Sequence, residues 1–203
     1  MNDGLKERRV AKMSKQSIAL KEWAVAVQAL KEGDQIFILR KGGIEEETRD
    51  FQVKTNFFYL YPTYEHQKKH LLKDSYQSQM DNTLQGWSLE DKHVIITTCA
   101  EMVEDIEITD QAQLDRLLPY HIWTESFTED RLRWKRTSPL HLMLLRVFKL
   151  DMPREADIYS EYLGCKSWIQ LQGEWEDISK TPVLNDADFA ERLSTVKREL
   201  NLK

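Results

Sequence analysis

Residues 34–73 read DQIFILRKGGIEEETRDFQVKTNFFYLYPTYEHQKKHLLK. An apolar run, Ile36 to Leu39, leads straight into Arg40-Lys41-Gly42-Gly43. Three glutamates follow (Glu45, Glu46, Glu47), and an aromatic run from Phe57 to Tyr61 ends in Pro62-Thr63-Tyr64-Glu65-His66-Gln67. Short apolar runs bounded by Gly and Pro are strand signals. The polar groups able to carry chemistry therefore collect where Gln35–Arg40 and Phe57–Tyr61 end as strands. A third strand at Phe51–Lys54 would make a meander whose outer members run the same way, so that Arg40 and Pro62 emerge on one side. His66 then approaches Arg40 and Glu46.

Working outward, residues 1–17 are polar and basic and predict a flexible tail. The run to Leu30 fits either helix or strand; a strand from Trp23 is favoured, because Lys31-Glu32-Gly33-Asp34 then reads as a hairpin turn into the next. Pro62 stops the aromatic strand, and Thr63 caps a helix from Tyr64 to Lys73. Residues 74–90, rich in Gln, Ser, Asn and Asp, predict a long loop or seam. His93 to Val103 is β-branched and strand-like. Asp110 caps an amphipathic helix to Leu118, and a short helix covers Thr128 to Arg133. Leu140 to Leu150, LHLMLLRVFKL, predicts a buried central strand in which Arg146 must be paired. Ser167–Leu171 is a further strand, and Asp186 caps a closing helix to about Leu200.

Strands and helices without regular βαβ alternation predict an α+β fold: a mixed, mainly antiparallel sheet or sheets with peripheral helices. Beyond the tail, the chain divides into an N-terminal half, 18–90, carrying both motifs, and a C-terminal half, 91–203, with the central strand and closing helix.

The 203 residues carry 29 Lys and Arg against 34 Asp and Glu, a net charge of −5. That balance opposes indiscriminate coating of nucleic acid but leaves room for a local basic cleft. No apolar run is long enough to span a membrane, and the charged N-terminal residues lack a secretory apolar core. With two cysteines, Cys99 and Cys165, and no CxxC pair, a cytoplasmic protein with reduced thiols is expected.

Arg40-Lys41-Gly42-Gly43 has the composition of an anion site, two cations beside glycines that let backbone N–H groups approach a phosphate. It lacks the GxxxxGK[ST] spacing of a nucleotide P-loop, and a plain turn with solvated cations fits equally well. His66 and His70 are four apart, but Gln67 stands where a zinc protease needs its glutamate, so no metal is assigned. His66 is instead the candidate general acid or base, paired with Glu46, or with Glu45 or Glu65, and Gln67 and Arg146 join the ligand-binding set. Glu90-Asp91-Lys92 has the ExK spacing of a nuclease, with Asp50 or Asp81 as a first acid. Arg131, Arg133, Trp134, Lys135 and Arg136 form an aromatic-basic cluster suited to stacking on unpaired bases while holding phosphates; a core Trp beside solvated cations is the alternative.

ALKEW at Ala19–Trp23, LRKGGIEE at Leu39–Glu46 and YPTYEHQ at Tyr61–Gln67 together resemble one bacterial family, that of the domain of unknown function 1802. HIWT at His121–Thr124, PLHLMLLRVFKL at Pro139–Leu150 and GCKSW at Gly164–Trp168 resemble its second half. Some members are fused to a restriction-endonuclease-like domain, so the resemblance implies an association with DNA restriction or defence. No such domain is read in these residues.

Two readings follow. One is a module that binds nucleic acid or a phosphate-bearing ligand through Arg40, Lys41 and the 131–136 cluster. The other is a phosphodiester or nucleotide hydrolase using His66 and a nearby glutamate. An accessory subunit of a larger restriction system is a third. The sequence leaves the cofactor open.

Overall fold

The computed structural model describes residues 17–41, 53–134, 138–164, 166–175 and 178–202. These contain seven strands, β1 (Ile18–Trp23), β2 (Phe37–Arg40), β3 (Phe57–Thr63), β4 (His93–Ile108), β5 (Leu140–Asp157), β6 (Trp168–Gln170) and β7 (Lys180–Pro182). Five α-helices accompany them: α1 (Ala24–Glu32), α2 (Asp74–Leu84), α3 (Gln111–Leu117), α4 (Glu125–Arg133) and α5 (Asp186–Glu199). The strands form one mixed sheet in the order β2-β5-β4-β3-β1-β6, with β7 beside β5. Only β1 and β3 pair in parallel, so the fold is α+β and mainly antiparallel, as the sequence predicts.

Leu140–Leu150 is the buried interior strand expected of it. Leu142, Leu144 and Leu145 are wholly buried, and the strand runs on to Asp157. Its long antiparallel pairing with β4 is broken by irregularities at Ile96/Thr98 and Met102/Glu104. Such bulges bend the strands that carry them. Alternate residues face opposite ways. Leu20, Ile38, Phe58, Leu60, Ala100, Met143, Leu145 and Trp168, drawn from all six strands of the path, therefore meet in one apolar cluster with Val27 and Leu30 of α1. Arg40 of β2 also reaches Lys21 O of β1 and Ser167 beside β6, contacts that require the sheet to curl upon itself. A second cluster joins the opposite face of β2 and β5 to α3 and α4, and the third lies over β1, β3 and β6.

Several local expectations are corrected. Trp23–Leu30 is not a strand: β1 ends at Trp23 and α1 begins at Ala24. The helix hides its period because both sides are buried, Val25, Ala26 and Ala29 against one cluster and Val27 and Leu30 against another. Gly33, at φ 80°, ends it, its N–H reaching Leu30 O while Asp34 N–H bonds Ala29 O, so residues 31–34 join helix to strand rather than strand to strand. Val53 and Lys54 are in no strand, and Phe51 lies outside the described residues.

Pro62 does not stop β3, which continues to Thr63; beyond Tyr59 it is paired only with β1, where a strand tolerates proline. The helix expected at Tyr64–Lys73 is replaced by a loop with one 3₁₀ turn, Lys69–Leu71, and His66 has φ 62°. The expected loop at 74–90 contains α2, whose narrow stripe of Tyr76, Met80 and Leu84 packs on the core. Asp110 caps α3 as read, accepting from Ala112 N at 2.7 Å, but α5 is capped by Asn185, one residue before Asp186.

Candidate functional site

β2 and β3 are separated by β5 and β4, three antiparallel steps. On a flat sheet Arg40 and Pro62 would leave opposite ends, and the meander argument fails. Curling brings them together by another route. The Arg40 guanidinium crosses from the edge strand β2 to β1, donating from Nη1 to Lys21 O and Glu22 Oε2, each at 3.3 Å. Nη2 reaches Ser167 Oγ, just before β6, at 2.5 Å. Glu22 is buried, and its other oxygen accepts Trp23 N–H at 2.8 Å.

Beside this junction opens a cleft of about 380 Å³. Arg40, Lys41, His66, Arg131 and Trp134, all singled out from sequence, line it together. Tyr64 and Trp87 lie across the same cleft, their rings stacked at 5.4 Å. Among the described lining residues five cations (Lys21, Arg40, Lys41, Arg131, Lys166) face two carboxylates, Glu22 and Glu65, so the cleft is positive in a negative chain.

The cations are held differently. Lys41 is buried and its Nζ donates to Leu132 O in the last turn of α4 at 2.6 Å, a favourable place for a cation; burial nonetheless pulls its pKa down. Lys21 Nζ donates to Tyr162 O at 2.6 Å and Gly164 O at 2.9 Å. Arg131 projects from α4 over the Phe127 ring, 5.2 Å from its centroid, and Phe127 in turn stacks on Trp123 at 4.2 Å. Burial and the like charge of Arg40 lower the Arg131 pKa, with Glu22 opposing. Burial keeps the Tyr61 hydroxyl protonated, its pKa pushed up to about 12, and raises Tyr64 as well.

Not every expected residue belongs here. Gln67 does not line the cleft; its Oε1 accepts Val25 N–H at 3.1 Å and so supplies the cap that α1 lacks at Trp23. Arg133 lines a neighbouring hollow with Lys41 and pairs with Glu129 at 3.4 Å. Arg146 is paired, as the sequence requires, but away from the cleft: it meets Asp186 at 2.7 Å and lies 4.6 Å from the Phe189 ring centroid. Gly42, Gly43, Glu46, Lys135 and Arg136 lie outside the described residues.

His66 is exposed, with Glu65 Oε2 3.9 Å away. Among the described residues no three His, Cys, Asp or Glu side chains are grouped to hold a metal. The Glu90-Asp91-Lys92 triplet forms the turn before β4, where Asp91 accepts Ser88 N–H at 2.9 Å, and Asp81 is on α2, paired with Lys69 at 2.5 Å. With Asp81 the nuclease pattern therefore lacks its adjacent strands, and Asp50, the other first acid, lies outside the described residues.

Residues missed from sequence are Lys21, Glu22, Tyr64, Trp87 and Ser167. All but Trp87 fall in quoted blocks: ALKEW supplies Lys21 and Glu22, YPTYEHQ supplies Tyr64, and GCKSW supplies Ser167. Blocks far apart in sequence meeting at one cleft were the available signal. The model of the family described as domain of unknown function 1802 matches residues 19–195, and the chain belongs to that family. No curated protein and no solved structure matches it. No helix among the described residues is long and apolar enough to cross a membrane.

Proposed function

We propose that this member of the domain of unknown function 1802 family binds nucleic acid or another phosphate-bearing ligand in the cleft between β2, β1 and α4. One observation carries the reading. Arg40 and Lys41, from the end of β2, meet Arg131 and Trp134, from the end of α4, on one concave surface with an excess of positive charge. Guanidinium groups match the geometry of phosphate oxygens, and recessed cations act on a bound anion more strongly than solvated ones. The association with DNA restriction implied by the family resemblance is compatible with such a ligand.

The test is a fluorescence anisotropy titration with a labelled oligonucleotide at several salt concentrations. Binding should weaken as salt rises, and Arg131→Gln should weaken it at every salt concentration and flatten the slope. Salt-independent binding, or the same affinity in the variant, would count against the cleft.

A hydrolase reading keeps one specific support: His66, at positive φ, lines the same cleft as Arg40. Non-glycine residues held in that conformation concentrate at functional sites. Under this reading His66→Ala retains ligand affinity and loses turnover of a phosphodiester substrate.

A further inference from the structure

We infer that the cleft takes an unpaired nucleotide, its phosphate on Arg131 and its base on the aromatic rim, and does not take duplex nucleic acid. This rests on the phosphate-binding reading above and narrows it.

The first ground is how the cations are committed. Arg40 is engaged by Glu22, Ser167 and Lys21 O, Lys41 by Leu132 O, and Lys21 by two backbone carbonyls. The Arg131 guanidinium has no hydrogen bond or ion pair with any described residue. Its guanidinium is instead fixed in place over Phe127, which is braced by Trp123. Glu22 lies close enough to influence it, yet one carboxylate oxygen is bonded to Arg40 and the other to Trp23 N–H. The junction thus presents one oriented, uncommitted planar cation beside a second guanidinium. A bidentate oxyanion satisfies that arrangement.

The second ground is depth. Lys41 is 4% exposed and the Arg40 side chain 15%, so the positive charge sits at the floor. A cleft of about 380 Å³ lies at the lower end of small-ligand pockets, roughly 300–1,000 Å³. A duplex is stiff and wide, so its backbone cannot bend to follow a recess of this size. A single unpaired nucleotide can descend.

The third ground is the rim. The Tyr64–Trp87 stack and Trp134, which is 37% exposed, line the same cleft as the cations. Aromatic faces beside a basic floor are what unpaired bases stack on, with little dependence on sequence. A base inside a duplex offers no such face.

The experiment compares a fluorescein-labelled oligothymidylate of about eight nucleotides, a length typical of single-strand sites, with a duplex of equal length. Thymidine monophosphate, thymidine and inorganic pyrophosphate serve as competitors. The single strand should bind about tenfold or more tighter than the duplex. Arg131→Gln should weaken the strand, thymidine monophosphate and pyrophosphate alike. Trp87→Ala should weaken the strand and the monophosphate by about tenfold and leave pyrophosphate unchanged. Competition by the monophosphate as strong as by the strand identifies a free nucleotide, and a clear advantage of the strand identifies a strand end; both uphold the inference. Equal or tighter duplex binding overturns it while leaving the phosphate reading standing. Failure of every phosphorylated probe to bind the folded wild-type protein overturns both. Circular dichroism of the variants separates lost contacts from lost fold.

Discussion

Arg40 on the edge strand β2 donates to Ser167 Oγ at 2.5 Å, and Ser167 immediately precedes β6, the strand at the opposite edge of the sheet. One side chain therefore ties together the two ends of a curled sheet. It does so beside a buried carboxylate, Glu22, whose guanidinium partner is 3.3 Å away.

Removing Arg40 leaves Glu22 charged and buried without that partner, which is the costly way to break an ion pair. Arg40→Ala should destabilise the protein by about 2–4 kcal/mol in urea denaturation. Adding Glu22→Gln should recover part of the loss, so the double variant falls short of additivity. A loss below about 0.5 kcal/mol, the level of a surface change, would mean that Arg40 does not hold the edges together.

Gln67 caps α1 from a distant loop, accepting Val25 N–H at 3.1 Å where Trp23 offers no side-chain cap. Gln67→Ala should cost about 1 kcal/mol, as loss of a helix cap does. Faster hydrogen exchange at the first turn of α1 would locate the effect. Unchanged exchange there would show that the bond carries no stability.

His121 is buried, with Nδ1 accepting Trp123 N–H at 3.1 Å and Lys73 close by. Burial, and secondly the Lys73 charge, push its pKa down to about 3 from an ordinary 6.5. The folded imidazole stays neutral while the unfolded one protonates first. Stability present above pH 6.5 is therefore lost as pH falls from 6.5 toward 3, at up to about 1.4 kcal/mol per pH unit. His121→Gln should flatten the dependence of unfolding free energy on pH below 6.5 relative to wild type. Parallel slopes would rule out His121 as the source.

Cys99 is buried in β4 and its thiol pKa is pushed up to about 12, chiefly by burial. Thiolate is the reactive form, so in a Cys165→Ser background a soluble maleimide should label Cys99 only after denaturation. Labelling of the native protein within minutes at pH 8 would contradict the packing of this strand.

Much of the fold was legible as local pattern. The apolar run Leu140–Leu150 announces β5, because a strand buried on both faces is apolar throughout, and the β-branched run from His93 announces β4, which is buried mainly on one face. Asp110 announces α3, because its side chain bonds a backbone N–H two residues on. Arg146 announces a partner, because a guanidinium among leucines needs one, but not which: Asp186 comes from a helix 40 residues away. The same reasoning fails for α1, buried on two sides, and for α2, whose single narrow apolar stripe is diluted by polar residues.

The cleft was legible only in its parts. Composition singles out Arg40, Lys41, His66, Arg131 and Trp134 because cations and aromatics near glycine, proline or strand ends have chemistry to offer. Nothing local marks Glu22, which in ALKEW resembles any solvated glutamate, or Ser167 in GCKSW. Their roles come from the closing of the sheet, a sum of pairings between strands up to about 150 residues apart, such as Leu20 with Trp168. Periodicity records which side of its own segment a residue faces. Which other segment it then faces is decided by bulges in β4 and β5 and by the apolar cluster that all six strands of the path fill together.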